Sequence, residues 1–400
     1  MFLQILIVIL FGCCFGIFTG LTPGIHVNLV ALLVLSFSPL LLQYVSPLSL
    51  IVFIVAMSVT QTFFDSIPSI YLGAPDESQA LSVLPGHRLL FKGEGHNAVK
   101  LTIIGSFFSL LLSLLLVVPF MFLVKLLDPL IGNYIGFILV IIMAYMVFKD
   151  KRRWLNLVMF IMSGILGLIV LNMPNLKDPL FPLLSGLFGF SVLLVSLVES
   201  SKIPKQNYNA KLKIKKSEIA KATTGATIMG FIASFLPGFG ASQAAIIAQQ
   251  FMKKLSDRGF LVLVGGINTA NFVLSLVTLY MLSKARNGAV VVMSQIVPVI
   301  TPKTIIILFL SSLIAGAVAV VLALKISKVF AKYIVKVNYR LLVFSIILFI
   351  TVLTFYFSSW VGLLVLATAT AVGLVATQLG VGKNHCMACL ILPVILYFLL

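Results

Sequence analysis

The chain has 400 residues, of which 61% are hydrophobic and only 10% are charged. This composition excludes a soluble domain, and the recurring runs of about 20 apolar residues predict a helical membrane protein with many spans. The net charge of +18 comes from clusters of Lys and Arg between the apolar runs, which predicts cytoplasmic loops and contact with anionic lipid head groups, not nucleic acid.

The apolar spans follow the same order in both halves of the chain. The first half contains 1–22, 25–45, 48–72, 101–124, 130–148, 154–172 and 179–199, and the second contains 222–236, 239–251, 259–282, 303–323, 341–357, 359–379 and 385–400. Each half is predicted to hold one broken hairpin followed by five spanning helices. The arms of the second hairpin are too short to cross a hydrocarbon core of ~30 Å, so this hairpin is predicted to be re-entrant.

A Pro-Gly pair interrupts the hairpin of each half. The matching positions are Gly16 with Gly230, Pro23 with Pro237, and Gly24 with Gly238. Proline lacks a backbone N–H and glycine tolerates positive φ, so the pair breaks a helix. Broken backbone at membrane depth is tolerated only where protein buries it or where it lines a wet cavity. The two breaks therefore predict a substrate site between two repeats.

The charges between the spans predict that the two halves have opposite orientations. The basic cluster 149–153 is predicted to be cytoplasmic, whereas its second-half counterpart, the Ser358–Ser359 turn, is uncharged. The predicted fold class is an all-α polytopic protein of the cytoplasmic membrane with two inverted-topology repeats. The predicted units are a first repeat at 1–200, a basic cytoplasmic linker at 201–221 and a second repeat at 222–400.

Few polar groups lie inside the apolar spans, and they cluster at the two breaks and in the span after each hairpin. A helix that restarts after a break presents unpaired N–H groups and the positive end of its dipole, which suits an anion. The alternative is that these small and hydroxylated residues only pack helices together. The predicted substrate-binding residues are Thr22, Pro23, Gly24, His26, Asn28 and Thr62 in the first half, and Pro237, Gly238, Gly240, Ser242, Gln243, Asn268 and Asn271 in the second.

Asp65 is the carboxylate that the pattern places well inside a predicted span. A carboxylate inside the membrane is costly, so Asp65 is predicted to take part in coupling to Na⁺ or H⁺. The alternative is that Asp65 caps a helix break near Pro68. His26, beside the first break, either titrates or donates to a backbone carbonyl.

No catalytic residue, cofactor or metal is predicted. Cys386 and Cys389 form a C-x-x-C pair beside His385, but one such pair is at most half of a zinc site. The chain lacks a nucleophile elbow, an H-E-x-x-H sequence and a phosphate loop, which argues against an enzyme. The expected partners are the lipid bilayer and an anionic small molecule.

Four stretches resemble the motifs of a known transporter family, the large permease subunit of tripartite tricarboxylate transporters (TctA). They are Gly20–Gly24, Ser234–Gly240, Phe64–Asp76 and Pro85–Gly93. The chain departs from the family pattern where Phe64 and Asp65 replace paired glycines and where His26 replaces a glycine.

This resemblance implies secondary transport of an organic anion, a di- or tricarboxylate, by alternating access. The resemblance leaves a small membrane subunit, an extracytoplasmic binding protein and a homodimer open as further partners. The inverted hairpin plan is also similar to that of the polyprenyl-phosphate translocases. Movement of a lipid phosphate is therefore the alternative function.

Overall fold

The computed structural model describes residues 2–22, 26–73, 77–131, 134–149, 152–174, 176, 179–198, 204–236, 240–252, 255–285, 287–333 and 339–400. All regular secondary structure in these ranges is helical. The tips of the two predicted breaks, Pro23–Gly24 and Pro237–Gly238, lie outside the described residues.

The helices of the first half are α1 (Phe2–Leu21), α2 (Val27–Ser36), α3 (Ser38–Leu41), α4 (Pro47–Phe64), α5 (Ser66–Leu72), α6 (Val83–Leu90), α7 (Gly95–Leu115), α8 (Val117–Ile131), α9 (Ile135–Lys149), α10 (Arg153–Leu171), α11 (Leu180–Leu184) and α12 (Ser191–Val198). Those of the second half are α13 (Lys216–Phe235), α14 (Ala241–Phe251), α15 (Asp257–Leu282), α16 (Gly288–Ile296), α17 (Pro302–Tyr333), α18 (Tyr339–Gln378) and α19 (Ala388–Leu399). A 3₁₀ turn at Glu77–Ser82 precedes α6, and a second at Lys383–Met387 precedes α19.

Seven helices in the described ranges are long and apolar enough to cross a membrane. They are Leu3–Leu21, Pro47–Leu72, Gly95–Leu115, Arg153–Leu171, Asp257–Leu282, Pro302–Tyr333 and Val343–Gln378. These spans and the helical fold confirm the prediction of an all-α polytopic membrane protein.

Several predicted spans have different boundaries in the structure. The span 101–124 is divided at Leu116, where α7 ends and α8 begins. The span 179–199 consists of α11 and α12 joined by a π-helical segment at Ser185–Phe190. The predicted spans 341–357 and 359–379 run together as α18, which is sharply kinked at Ser359, where φ is 54° and ψ is −156°.

Each hairpin has a long first arm and a short second arm. α1 and α13 contain 20 residues each, whereas α2 contains 10 and α14 contains 11. The prediction that the first arm of the second hairpin is short is wrong, because α13 already begins at Lys216. Its polar first turn is held by a tertiary contact, since Glu218 Oε1 accepts hydrogen bonds from the N–H and the hydroxyl of Ser256 at 2.8 and 2.7 Å.

Glycines allow the first arm of each hairpin to lie directly on the following long helix. Gly12, Gly16 and Gly20 occupy every fourth position of α1, and a Cβ at any of them would stand 2.5–2.7 Å from atoms of α4. Gly230 of α13 faces Ala270 of α15 in the same way, at 2.5 Å. Small residues are the usual means of close helix approach in membranes, so these contacts fix the hairpins to α4 and α15.

α4 and α15 form the centre of the bundle. The apolar windows of the spans 47–72 and 257–282 are 83% and 89% buried, against 28–39% for the windows in α1, α10, α17 and α18. α7 crosses α15 at close range, with Gly105 against the carbonyl of Val262 and the hydroxyl of Ser106 donating to Gly265 O at 3.0 Å.

The described part of the predicted linker is attached to the first half. Gln206 is buried, and its side chain donates to Leu90 O and accepts from Gly95 N, both at 2.9 Å. Asn207 N donates to Gly93 O at 2.8 Å. These bonds hold the linker against the connection between α6 and α7.

His87 is buried in α6 without a hydrogen bond to either ring nitrogen, as far as the described residues show. Its ring packs beside Gly73, whose φ of 66° ends α5, and meets the ring of Phe91 edge to face. Burial lowers the pKa of His87 to about 4. The imidazole is therefore neutral in the folded protein at neutral pH.

The low pKa of His87 predicts a loss of stability in acid. Between about pH 6.5 and pH 4 the unfolded chain binds this proton and the folded chain does not, so the free energy of unfolding falls as the pH falls. The expected contribution is roughly 2 kcal/mol between about pH 7 and pH 5. Chemical unfolding in detergent over this range should show that His87→Leu has a flatter pH dependence than the wild type. Identical pH profiles would contradict the prediction.

The inverted orientation of the two repeats stays a prediction, and two exposed positions can report on it. Gln43 lies shortly before α4, and Lys213 lines a cleft beside the start of α15. In a variant without the four native cysteines, new cysteines at Gln43 and Lys213 are expected to react with a membrane-impermeant maleimide from opposite faces. Lys213 should be labelled from the cytoplasm. Labelling of both positions from one face would rule out the inverted arrangement.

Candidate functional site

The candidate site centres on the crossing of α4 and α15, where side chains of the two halves bond directly. The hydroxyls of Thr62 and Thr269 share a hydrogen bond at 2.8 Å. Asn268 Nδ2 donates to Asp65 Oδ2 at 2.5 Å. All four side chains are buried. The structure thus brings two predicted substrate-binding residues, Thr62 and Asn268, together with the predicted coupling residue Asp65.

Asp65 occupies the junction between α4 and α5. Its backbone ends α4, and its carbonyl accepts from Ser69 Oγ at 3.0 Å. Its side chain makes no capping hydrogen bond to α5. The carboxylate is directed to Asn268 in the second half instead, so capping of the break near Pro68 is not the role of this side chain.

The helix that restarts after the first break begins against α4. Val27 N donates to Gln61 Oε1 at 2.9 Å, and Asn28 N donates to His26 Nδ1 at 3.1 Å. His26 is therefore the N-cap of α2 and accepts at Nδ1. Gln61 precedes Thr62 in α4, so the first break adjoins the crossing of α4 and α15.

Asn28 joins the first break to the second half. Its Oδ1 accepts from Ala289 N at 3.0 Å in the first turn of α16, and a Cβ at Gly288 would stand 2.7 Å from the Asn28 side chain. Thr22, on the other side of the break, is half-buried, and its N–H bonds to Phe18 O at 3.0 Å at the end of α1.

The second break leads into α14, whose N-cap residue is Gly240. No side chain caps this helix within the described part of the chain. Ser242 and Gln243 lie in its first turn and are buried, and Gln243 Oε1 has no hydrogen-bond partner there. Asn271 is half-buried on α15 where Gly230 of α13 packs against it.

Three polar residues of this region are absent from the predicted substrate-binding set. Gln61 and Thr269 stand out in the sequence as polar positions in apolar spans, and both make bonds at the site. Gln79 lies in the 3₁₀ turn Glu77–Ser82, which packs against α14 and α15. The sequence carries no signal for Gln79, because it belongs to a polar stretch that reads as an ordinary loop.

A basic cleft of about 720 Å³ lies on the face predicted to be cytoplasmic. Its basic lining consists of Lys92, Lys213, Lys215, Lys221 and Arg258. Arg88 pairs with Asp257 at 3.2 Å beside the cleft, and Arg258 pairs with Glu94 at 2.7 Å. These ion pairs join α6 and the connection that follows it to the start of α15.

The C-x-x-C pair lies at the start of α19. Cys386 and Cys389 are buried, as is His385. Within the described ranges, no three His, Cys, Asp or Glu side chains are grouped so that they could hold a metal ion.

Comparison with known proteins places the whole chain in one group. The family model described as "Tripartite tricarboxylate transporter TctA family" matches residues 6–388. The chain is 32% identical to "Uncharacterized protein MJ1079" of Methanocaldococcus jannaschii over 406 aligned residues. The alignment covers 98% of this chain and 99% of the relative. No solved structure gives a significant match. The match to the family model covers both halves of the candidate site.

Proposed function

The chain belongs to the tripartite tricarboxylate transporter TctA family, and we propose that it is the permease of a secondary transporter for a small organic anion. The substrate class proposed is a di- or tricarboxylate, and the membrane is the cytoplasmic membrane. The family and the seven apolar helices support a multi-pass component of a transporter, not an enzyme.

The crossing of α4 and α15 is the observation that carries this proposal. Polar groups of both halves meet there, deep in the bundle, through the pairs Thr62–Thr269 and Asp65–Asn268. The helices that restart after the two breaks, α2 and α14, pack against α4 and α15 respectively. Their N-terminal ends carry partial positive charge, which favours an anion between them. Movement of the two halves about this point would give alternating access.

The carboxylate of Asp65 makes ion coupling part of the proposal. An anion that binds near Asp65 adds a second negative charge in a region of low dielectric constant, where like charges repel strongly. A Na⁺ ion bound with the substrate, or a proton on Asp65, removes this repulsion. Binding of the anion would then depend on binding of the cation, which is the physical basis of coupled transport.

The partners proposed for the chain follow from its family. A tripartite transporter combines the permease with a small membrane subunit and a binding protein outside the cytoplasm. The basic cleft that includes Lys92 and Lys213 is proposed as the cytoplasmic vestibule, because its lysines attract an anion that leaves the site.

Uptake by proteoliposomes tests the proposed function. Purified protein is expected to accumulate labelled citrate or succinate when a Na⁺ or proton gradient is imposed, whereas liposomes without protein do not. A parallel assay should follow transbilayer movement of a labelled polyprenyl phosphate. Lipid-phosphate movement without carboxylate uptake would favour the alternative translocase and contradict the proposal.

Replacement of Asp65 tests the coupling. Asp65→Asn keeps an oxygen that accepts from Asn268 but removes the charge, so substrate exchange should continue while gradient-driven accumulation is lost. Asp128→Asn is the matched control, since the Asp128 carboxylate also accepts from a side chain of the second half, Lys284 Nζ at 2.8 Å, but is partly exposed. Normal accumulation by Asp65→Asn would exclude Asp65 from coupling.

A further inference from the structure

The two hairpins differ in the hydrogen bonds at the N-terminal end of the helix that follows each break, α2 in the first half and α14 in the second. Each of these helices meets a short segment from the other half. α2 packs against α16, and α14 packs against the 3₁₀ turn Glu77–Ser82. The two junctions are alike in plan but differ in their hydrogen bonds.

At the junction of α2 and α16, side chains of the protein accept from the first N–H groups of both helices. Gln61 accepts from Val27 N, and His26 accepts from Asn28 N, so side chains cap the start of α2. Asn28 in turn accepts from Ala289 N in the first turn of α16, an N–H that the N-cap residue Asn287 also accepts from. An anion at this position would have to displace existing acceptors from these N–H groups.

The junction of α14 with the 3₁₀ turn is incomplete. No described side chain caps α14, and its first turn contains Gln243, which is 2% exposed and whose Oε1 is without a partner. Gln79, on the 3₁₀ turn, is 0% exposed, and among the described residues neither of its amide atoms has a partner. Two buried glutamines with unsatisfied amide atoms thus lie on elements that contact each other.

Unsatisfied buried amides are rare because they cost free energy that an apolar side chain would not. Their presence at the α14 junction, and not at the α2 junction, indicates a partner group that the described residues do not supply. The N–H groups of Gln79 and of the first turn of α14 are donors, and a carboxylate is an acceptor with two oxygens. Hydration water of the anion can donate to the two amide oxygens.

We propose that a carboxylate of the transported anion binds asymmetrically, at the N-terminus of α14, with Gln79 as its side-chain donor from the first half. This assignment rests on the proposed function and adds to it the position of the anionic group. Gln79 and α14 belong to different halves, so the carboxylate would join the two halves at the second break only.

Replacement of Gln79 by leucine separates a binding role from a structural one. In a structural role, Gln79→Leu would lose a needed hydrogen bond and lower the unfolding temperature. In the proposed role, it removes an unsatisfied amide, so the unliganded variant should unfold at the same or a higher temperature. Its affinity for the anion should fall about 10- to 100-fold, as expected when a hydrogen bond to a charged group is lost.

Asn156→Leu is the matched control. Asn156 is 0% exposed, and its two amide atoms are also without partners in the described part of the chain. It lies on α10, which packs mainly on α19 and on the 3₁₀ turn Lys383–Met387 before it, so the α14 junction is not among its main contacts. This variant should equal Gln79→Leu in stability and bind the anion as the wild type does.

The experiment measures dissociation constants for labelled citrate and succinate, and unfolding temperatures without ligand, for the three purified proteins in detergent. Weaker binding by Gln79→Leu alone, with unchanged or raised unfolding temperature, supports the proposal. Wild-type affinity in Gln79→Leu overturns it, and so does a lowered unfolding temperature or a failure to fold. If the wild type binds neither anion, the proposed function fails instead.

Discussion

The arrangement of the bundle depends on how closely its neighbours approach α15. Glycines make this possible on two sides. Gly105 of α7 meets the backbone of α15 at Val262, and a Cβ at Gly266 of α15 would stand 2.7 Å from the side chain of Ala226 of α13. With α7 and α13 in these positions, α15 also reaches α4, and Asn268 meets Asp65 there. A larger residue on α7 or α15 at these points would move the polar pair apart as well as loosen the packing.

Polar groups at the centre of a membrane protein must find their partners inside the protein, because the hydrocarbon core supplies none. Asp65 and Asn268 satisfy this requirement across the two halves, and Gln61 satisfies it for the start of α2. Within the part of the chain that the structure describes, two buried glutamines do not meet this requirement for hydrogen-bond partners. Among the described residues, Gln79 and Gln243 are buried with side-chain atoms that have no hydrogen-bond partner, and a bound ligand can supply such partners.

The sequence predicted the class of fold and the residues at the crossing, because polar side chains are conspicuous in apolar spans. Thr62, Asp65 and Asn268 were identifiable for this reason. The sequence did not predict where α13 begins, because Lys216 and Glu218 resemble the residues of a polar linker. In the structure they belong to the helix, and Glu218 bonds to Ser256. Nor did the sequence identify Gln79, whose burial arises only when a polar turn packs against α14 and α15.

The two bonds at the crossing differ in how they depend on charge. A hydroxyl both donates and accepts, so the bond between Thr62 and Thr269 can run in either direction. The bond from Asn268 to Asp65 runs only from the amide N–H to the carboxylate oxygen. A change in the charge of Asp65 therefore acts on one of these two contacts between the halves and leaves the donors and acceptors of the other unchanged.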